Sequence, residues 1–255
     1  ENMRMLFRGP STFNQDISEW NTSNVKSMYA MFYDNSSFTQ NINSWNTSSV
    51  EDMSWMFASS TYNRNIGNWD TSSVVLMNSM FEDNTEFNQD ISNWNVSNVT
   101  NMWAMFYGTP FNQPIGNWNV SNVTIMQALF SNNTAFNQDI TNWDVSNVEN
   151  MSWMFQNASA FNQDISDWEV NKVNNMSKMF NNASSFSQDL SDWCVVNVIA
   201  EPDLFYEGSG LVNEQLPNWG QCPGVVGSIY LDDNGVTVKA DEYASVGETY
   251  KIGRA

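Results

Sequence analysis

Phe87-Asn88-Gln89-Asp90-Ile91-Ser92-Asn93-Trp94-Asn95-Val96-Ser97-Asn98-Val99-Thr100-Asn101-Met102-Trp103-Ala104-Met105-Phe106 recurs with few departures along most of the chain. Its tryptophan returns at 20, 45, 69, 94, 118, 143, 168 and 193, separated by 25, 24, 25, 24, 25, 25 and 25 residues. Its first phenylalanine returns at 13, 38, 111, 136, 161 and 186, with Tyr62 substituting once, and its isoleucine at 17, 42, 66, 115, 140 and 165, ending in Leu190. A fixed period of this length is the mark of a repeat architecture, in which each unit buries its apolar face only by stacking on its neighbours. Both 24-residue units lose their residue between the aromatic that ends one half and the aromatic that opens the next, at Phe57 to Tyr62 and Phe106 to Phe111, which marks a loop.

Within the unit, Trp94 and Val96 alternate with Asn93, Asn95 and Ser97, the period of a short strand with one buried face. Val99, Met102, Met105 and Phe106 follow at steps of three, three and one, the spacing of one helix face, with Ser97 placed as an N-cap. The expectation is an α/β repeat solenoid: a parallel β-sheet on one side, short helices on the other, and a small β element at the C-terminus.

The frame Ile-x-x-Trp-x-Val followed by Val, Met and Met-Phe resembles the leucine-rich repeat, with Trp in place of the middle Leu. More specifically, residues 87 to 106, 136 to 155 and 161 to 180 resemble the BspA-like leucine-rich repeats and the 25-residue surface repeat of mycoplasma lipoproteins. The resemblance covers about residues 2 to 205. It implies cell-surface or secreted proteins that make adhesive contacts, and leaves the ligand open, because function resides in particular exposed residues.

Residues 1–205 read as about eight tandem units. Glu1 to Phe7 match the middle of a unit, so the chain is expected to continue upstream. Residues 206–224 read as a degenerate capping coil, and 225–255 as a β-hairpin that opens a further module, with Ile229 and Leu231 alternating, Asp233-Asn234-Gly235 as the turn, and Val236 and Val238 alternating again. The two cysteines, Cys194 and Cys222, each follow a repeat tryptophan, Trp193 and Trp219, which would bring their sulfurs together if adjacent coils stack. A disulfide in an oxidising compartment is the leading reading, against two free thiols; a metal site would have too few ligands.

Composition narrows the function classes. The 255 residues carry a net charge of −19 with no basic cluster, which disfavours nucleic acid and anionic membranes. Histidine is absent, removing the commonest general base and metal ligand, and no apolar run is long enough to cross a bilayer. The expectation is a binding or structural protein, not an enzyme. Paired carboxylates such as Asp167 and Asp192 are repeat positions, whereas a catalytic site breaks a repeat.

The candidate binding face is a strip two residues wide, comprising Asn21, Asn46, Asp70, Asn95, Asn119, Asp144 and Glu169 with Asn93, Asn117, Asn142 and Asp167 beside them. Such a strip suits an extracellular protein or polysaccharide held by many weak hydrogen bonds; equally, the side chains would only ladder and solvate the sheet. A second column, Asp16, Asp90, Asp139, Asp164 and Asp189, is interrupted by Asn41, Asn65 and Pro114. Stacked carboxylates invite calcium, while Asp also serves its own turn. No other cofactor is implied. The methionine columns read as core filling, and Asn35, Asn95, Asn98, Asn157 and Asn182 head glycosylation triplets. Thr22, Thr47 and Thr71 give way to Val96, which predicts burial and argues against an ice-binding array.

Overall fold

The computed structural model describes residues 2–223, together with the backbone of the strand pair Tyr230–Leu231 (β1) and Thr237–Val238 (β2). Successive 24- and 25-residue units lie one on the next as stacked coils, but the coils are made of turns. Among the described residues there is no α-helix, and the regular elements are one 3-10 turn, Asn213–Gln215, and the two short strands. The expected parallel sheet and helix layer are therefore not formed.

The segment expected to be helical shows why. Met105, Tyr107 and Thr109 donate their backbone N–H to the carbonyls of Met102, Ala104 and Phe106, three residues back, where a helix would reach four. The residues between them, Met102, Ala104, Phe106 and Gly108, donate outward to Ile125, Gln127, Leu129 and Ser131 of the next coil at 2.9–3.0 Å. Ala104 (φ 52°) and Gly108 (φ 65°) adopt the left-handed conformation, as the third residue of a type II turn must. Alternate N–H groups thus serve the turn and the stack, and each buried donor finds an acceptor. The same pattern repeats from Met28 to Asn35 and from Met151 to Ala158. A turn whose first and fourth residues both point inward produces the three-residue apolar spacing of a helix, so the spacing alone does not separate the two.

The expected strand fails for a related reason. Trp94 N–H bonds Ile91 carbonyl at 3.0 Å and Val99 N–H bonds Val96 carbonyl at 2.9 Å, so two turns flank a single extended residue, Asn95. Ser97 lies inside the second turn and caps no helix. Parallel pairing between coils is reduced to one bridge per coil, at Asn2, Ser27, Asp52, Leu76, Asn101, Ile125, Asn150 and Asn175, just before the methionine turn.

The interior is a column of large side chains. In every coil the two aromatics that bound the loop stack face to face, from Phe7 on Phe13 at 3.7 Å between ring centres to Phe57 on Tyr62 at 4.3 Å. Along the stack, Phe32, Phe57, Phe81, Phe106, Phe130, Phe155 and Phe180 follow at 5.5–5.9 Å. The methionines are sealed among them: Met102, Met105, Met151 and Met154 expose nothing. Thr22, Thr47 and Thr71 are buried too, each hydroxyl donating to the backbone carbonyl of Asn46, Asp70 or Asn95 in the next coil at 2.9 Å.

Three further side-chain devices join coil to coil. The indole N–H of Trp45, Trp69, Trp94, Trp118, Trp143, Trp168 and Trp193 donates at 3.0–3.3 Å to the isoleucine carbonyl of the preceding coil. This is the reason for tryptophan at a position where leucine would fill space, since a buried indole N–H needs an acceptor. The asparagine after each opening phenylalanine forms a ladder: Asn63 Oδ1 accepts the N–H of Asn88 and the side-chain amide of Gln89, and Asn88, Asn112, Asn137 and Asn162 do the same for the coils that follow. Asn35, Asn84 and Asn133 are wholly buried and act alike: Asn84 accepts from the N–H of Glu86 and Phe87 while donating to Tyr62 carbonyl at 3.0 Å, and Asn35 and Asn133 bridge to Phe7 and Phe111 carbonyls. Asn35 therefore offers no surface for a glycan.

At the C-terminal end, Leu190 N–H bonds Gln215 carbonyl and Val195 N–H bonds Gln221 carbonyl, so the residues after 205 lie on the last coil. Cys194 and Cys222 form a disulfide there. Beyond it, β1 and β2 pair antiparallel, with Tyr230 opposite Val238 and Leu231 opposite Thr237. Ile229, Asp233-Asn234-Gly235, Val236 and the end of the chain lie outside the described residues.

Candidate functional site

The two turns between isoleucine and valine place the polar strip. Asn21, Asn46, Asp70, Asn95, Asn119 and Asp144 occupy the single extended residue between the turns of successive coils, and all are exposed. Each uses Oδ1 to accept the backbone N–H two residues ahead, from Ser23, Ser48, Ser72, Ser97, Ser121 and Ser146, at 3.0–3.1 Å. The side chain is thereby held by its own turn. Glu169 occupies the same place and makes no such bond, and Cys194 is in the disulfide. Asn93, Asn117, Asn142 and Asp167 sit inside the preceding turn, two residues earlier, and are exposed.

The Asp column lies at the entry to that preceding turn. Asp16, Asp90, Asp139, Asp164 and Asp189 are exposed, and their Oδ1 atoms accept the N–H of Ser18, Ser92, Thr141, Ser166 and Ser191 at 2.9–3.1 Å. Hydrogen bonds to the ionised form hold these carboxyls below the ordinary range. The backbone N–H is the main cause at Asp16, Asp90, Asp139 and Asp189, and the serine hydroxyl at Asp164. Asp70 in the strip is lowered the same way, chiefly by the hydroxyl of Ser72. Calcium and service to its own turn are the two readings the sequence offers for this column. Among the described residues no group of three or more acidic or thiol side chains gathers to hold a metal ion.

The structure also reveals an aromatic cluster that the repeat frame hid. It lies on the methionine turns of the first coils and includes Tyr29, Tyr33, Trp55 and Trp103. The guanidinium of Arg4 lies 4.3 Å over the ring of Tyr29 and that of Arg8 5.0 Å over Tyr33. The signal was present in the sequence, because the position of Trp55 is Ala30, Ser79, Ala104, Ala128 and Lys178 in other coils, and only Trp153 matches it. Beside it, Glu82 is half-buried. Burial pushes its carboxyl up and Asp83 adds like charge, while the Ser79 hydroxyl draws it back without reaching hydrogen-bond geometry; Ser79 Oγ and Glu82 Oε2 are both left without a partner.

A stack of short coils with long, regular exposed columns defines a repeat protein. Comparison with known proteins agrees at that level: the family described as Mycoplasma protein of unknown function, DUF285, matches three times, over residues 1–62, 57–126 and 108–219. The chain belongs to this repeat family. No curated protein and no solved structure matches it.

Proposed function

We propose that the chain is a non-catalytic interaction protein of the cell surface or extracellular space, whose Asn/Asp strip engages an extracellular protein or polysaccharide. The observation that carries the reading is the state of the strip side chains. Their turns consume one oxygen each and leave Nδ2 of Asn21, Asn46, Asn95 and Asn119 and Oδ2 of Asp70 and Asp144 with no hydrogen bond among the described residues. These donors and acceptors point outward in already ordered side chains, which lowers the entropy cost of binding, and they recur coil after coil, which multiplies weak contacts.

Further support is indirect. The family is a repeat family, and the hallmark string resembles BspA-like surface repeats. The disulfide suits an oxidising compartment. Among the described residues no helix is long and apolar enough to cross a membrane. The test is a glycan and matrix-protein array probed with the wild-type chain and with an Asn93→Ala, Asn117→Ala, Asn142→Ala variant. Those three side chains hold no turn together, so their loss should weaken a genuine ligand about tenfold or more while leaving the melting temperature unchanged. Binding no stronger than that of an unrelated acidic protein would reject the proposal and favour a spacer role.

A further inference from the structure

The aromatic cluster on the methionine turns encloses a shallow groove of about 220 Å³ lined by Arg8, Tyr29, Ala30, Tyr33 and Trp55. Nothing in the stacking of the coils requires these rings. The position of Trp55 also accepts Ala30, Ser79, Ala104, Ala128 and Lys178, with tryptophan again only at Trp153, and that of Tyr33 accepts Ala58, Glu82, Ser131, Gln156 and Asn181, with tyrosine again at Tyr107 and Tyr206. Trp55 moreover holds a left-handed backbone conformation, φ 62°, which a bulky side chain adopts at a cost. A large aromatic at a strained turn, only partly buried and with its ring centre 5.9 Å from those of Tyr33 and Trp103, points to a surface made for contact.

The charge of the groove says what kind of contact. Arg4 is paired with Asp52 at 3.2 Å, whereas Arg8 makes no ion pair among the described residues and sits 5.0 Å over the Tyr33 ring. In a chain of net charge −19, an unneutralised guanidinium on an aromatic wall is a site for one negative charge, while the surrounding field opposes a polyanion. The backbone lining the groove is already used: Ala30, Tyr33 and Asp34 donate to Ser54, Ala30 and Ala58, so no open edge awaits a peptide strand. The volume is below that of a drug-sized pocket and suits one ring.

We infer that this groove binds a single carboxylated sugar residue. The pyranose lies against Trp55 and Tyr33, and its carboxylate pairs with Arg8. The site lies on different turns from the Asn/Asp strip and stands or falls independently of it.

Calorimetry and saturation-transfer NMR with sialyllactose, lactose and a hexaglutamate peptide decide the matter. Sialyllactose should bind at least about tenfold more tightly than lactose, the worth of one charge-assisted contact. Arg8→Gln should abolish that preference, and Trp55→Ser should weaken sialyllactose about tenfold or more. Ser79 occupies the place of Trp55 one coil on, so the fold tolerates serine there; Tyr33→Ala, for which Ala58 is the precedent, carries the same expectation should Trp55→Ser melt early. Equal affinity for lactose and sialyllactose, tighter binding of hexaglutamate, or undiminished binding by both aromatic variants would each overturn the assignment.

Discussion

Single side chains in this molecule act between coils more than within them, and their replacement should be felt accordingly. Trp94 sends its indole N–H to Ile66 carbonyl at 3.1 Å, and that carbonyl also accepts the N–H of Trp69. Trp94→Phe therefore removes one bond without orphaning the acceptor, and is expected to cost about 1–2 kcal/mol, mostly lost packing and one hydrogen bond, in urea unfolding. Asn84 is a harsher case. Its amide satisfies the N–H of Glu86 and Phe87 and the carbonyl of Tyr62 in a wholly buried site. Asn84→Ala strands all three, so the expected loss is about 3–5 kcal/mol, and Asn84→Ser, the residue found at position 60, should recover part of it. A loss no larger for Asn84→Ala than for Trp94→Phe would mean that water replaces the buried amide. Neither role was legible beforehand. Sequence reading placed Trp94 in the core correctly, but the reason for an indole over an aliphatic lies in a carbonyl one coil away, which no local pattern reports.

At the scale of the turn, the coil carries strain that a helix or strand would not. Fifteen non-glycine residues among those described have positive φ, falling about every 24 or 25 residues at two places per coil. Each such residue costs about 1 kcal/mol or more relative to glycine. Ser59 is exposed with φ 52°, and its N–H goes to Glu82 carbonyl. Ser59→Gly keeps that bond and relieves the strain, so it should stabilise by about 0.5–1 kcal/mol after the extra freedom of the unfolded glycine is subtracted. The same replacement at Ser48, outside any left-handed position, should destabilise, and equal effects at the two sites would contradict the turn assignment. Repeat length, loop position, inward residues and disulfide were all legible, because they depend on period and on which side chains are apolar. The element type was not. Met102, Met105 and Phe106 satisfy helical spacing and turn spacing alike, and only the destination of alternate N–H groups, to the next coil and not to residue i−4, distinguishes them. In the candidate site the exposure of the Asn and Asp columns was readable, whereas the aromatic groove was masked, since Tyr29, Tyr33 and Trp55 stand at three different places in the repeat.

The whole molecule responds to pH and to reduction through the same stacked construction. Six Asx-turn carboxyls, Asp16, Asp70, Asp90, Asp139, Asp164 and Asp189, titrate below their ordinary 3.8 in the folded chain, so their contribution is present above that value and is lost as pH falls through the lowered folded values. Glu82 works in the opposite sense. Its folded pKa lies above the ordinary 4.5, so its contribution is greatest below 4.5 and is lost as pH rises through the folded value. Self-repulsion at net charge −19 adds to that second trend. The melting temperature is expected to peak at about pH 4–6, and Glu82→Gln should raise it at pH 7 but not below pH 4.5; parallel curves would show that Glu82 is solvated. Reduction tests how far the coils share their stability. In a stack where each coil touches only its neighbours, opening begins at an end and need not spread. The Cys194–Cys222 bond closes a separation of 28 residues and ties the terminal segment to Val195 and Val198, so its loop-closure contribution is about 3–4 kcal/mol, confined to that end. Hydrogen exchange after reduction should therefore quicken across roughly residues 187–223 and leave the amides of Met102, Ala104 and Phe106 protected. Uniform loss of protection along the chain would instead show that the coils open as one unit, with the interlocked Trp, Asn and Phe columns transmitting the break from the last coil to the first.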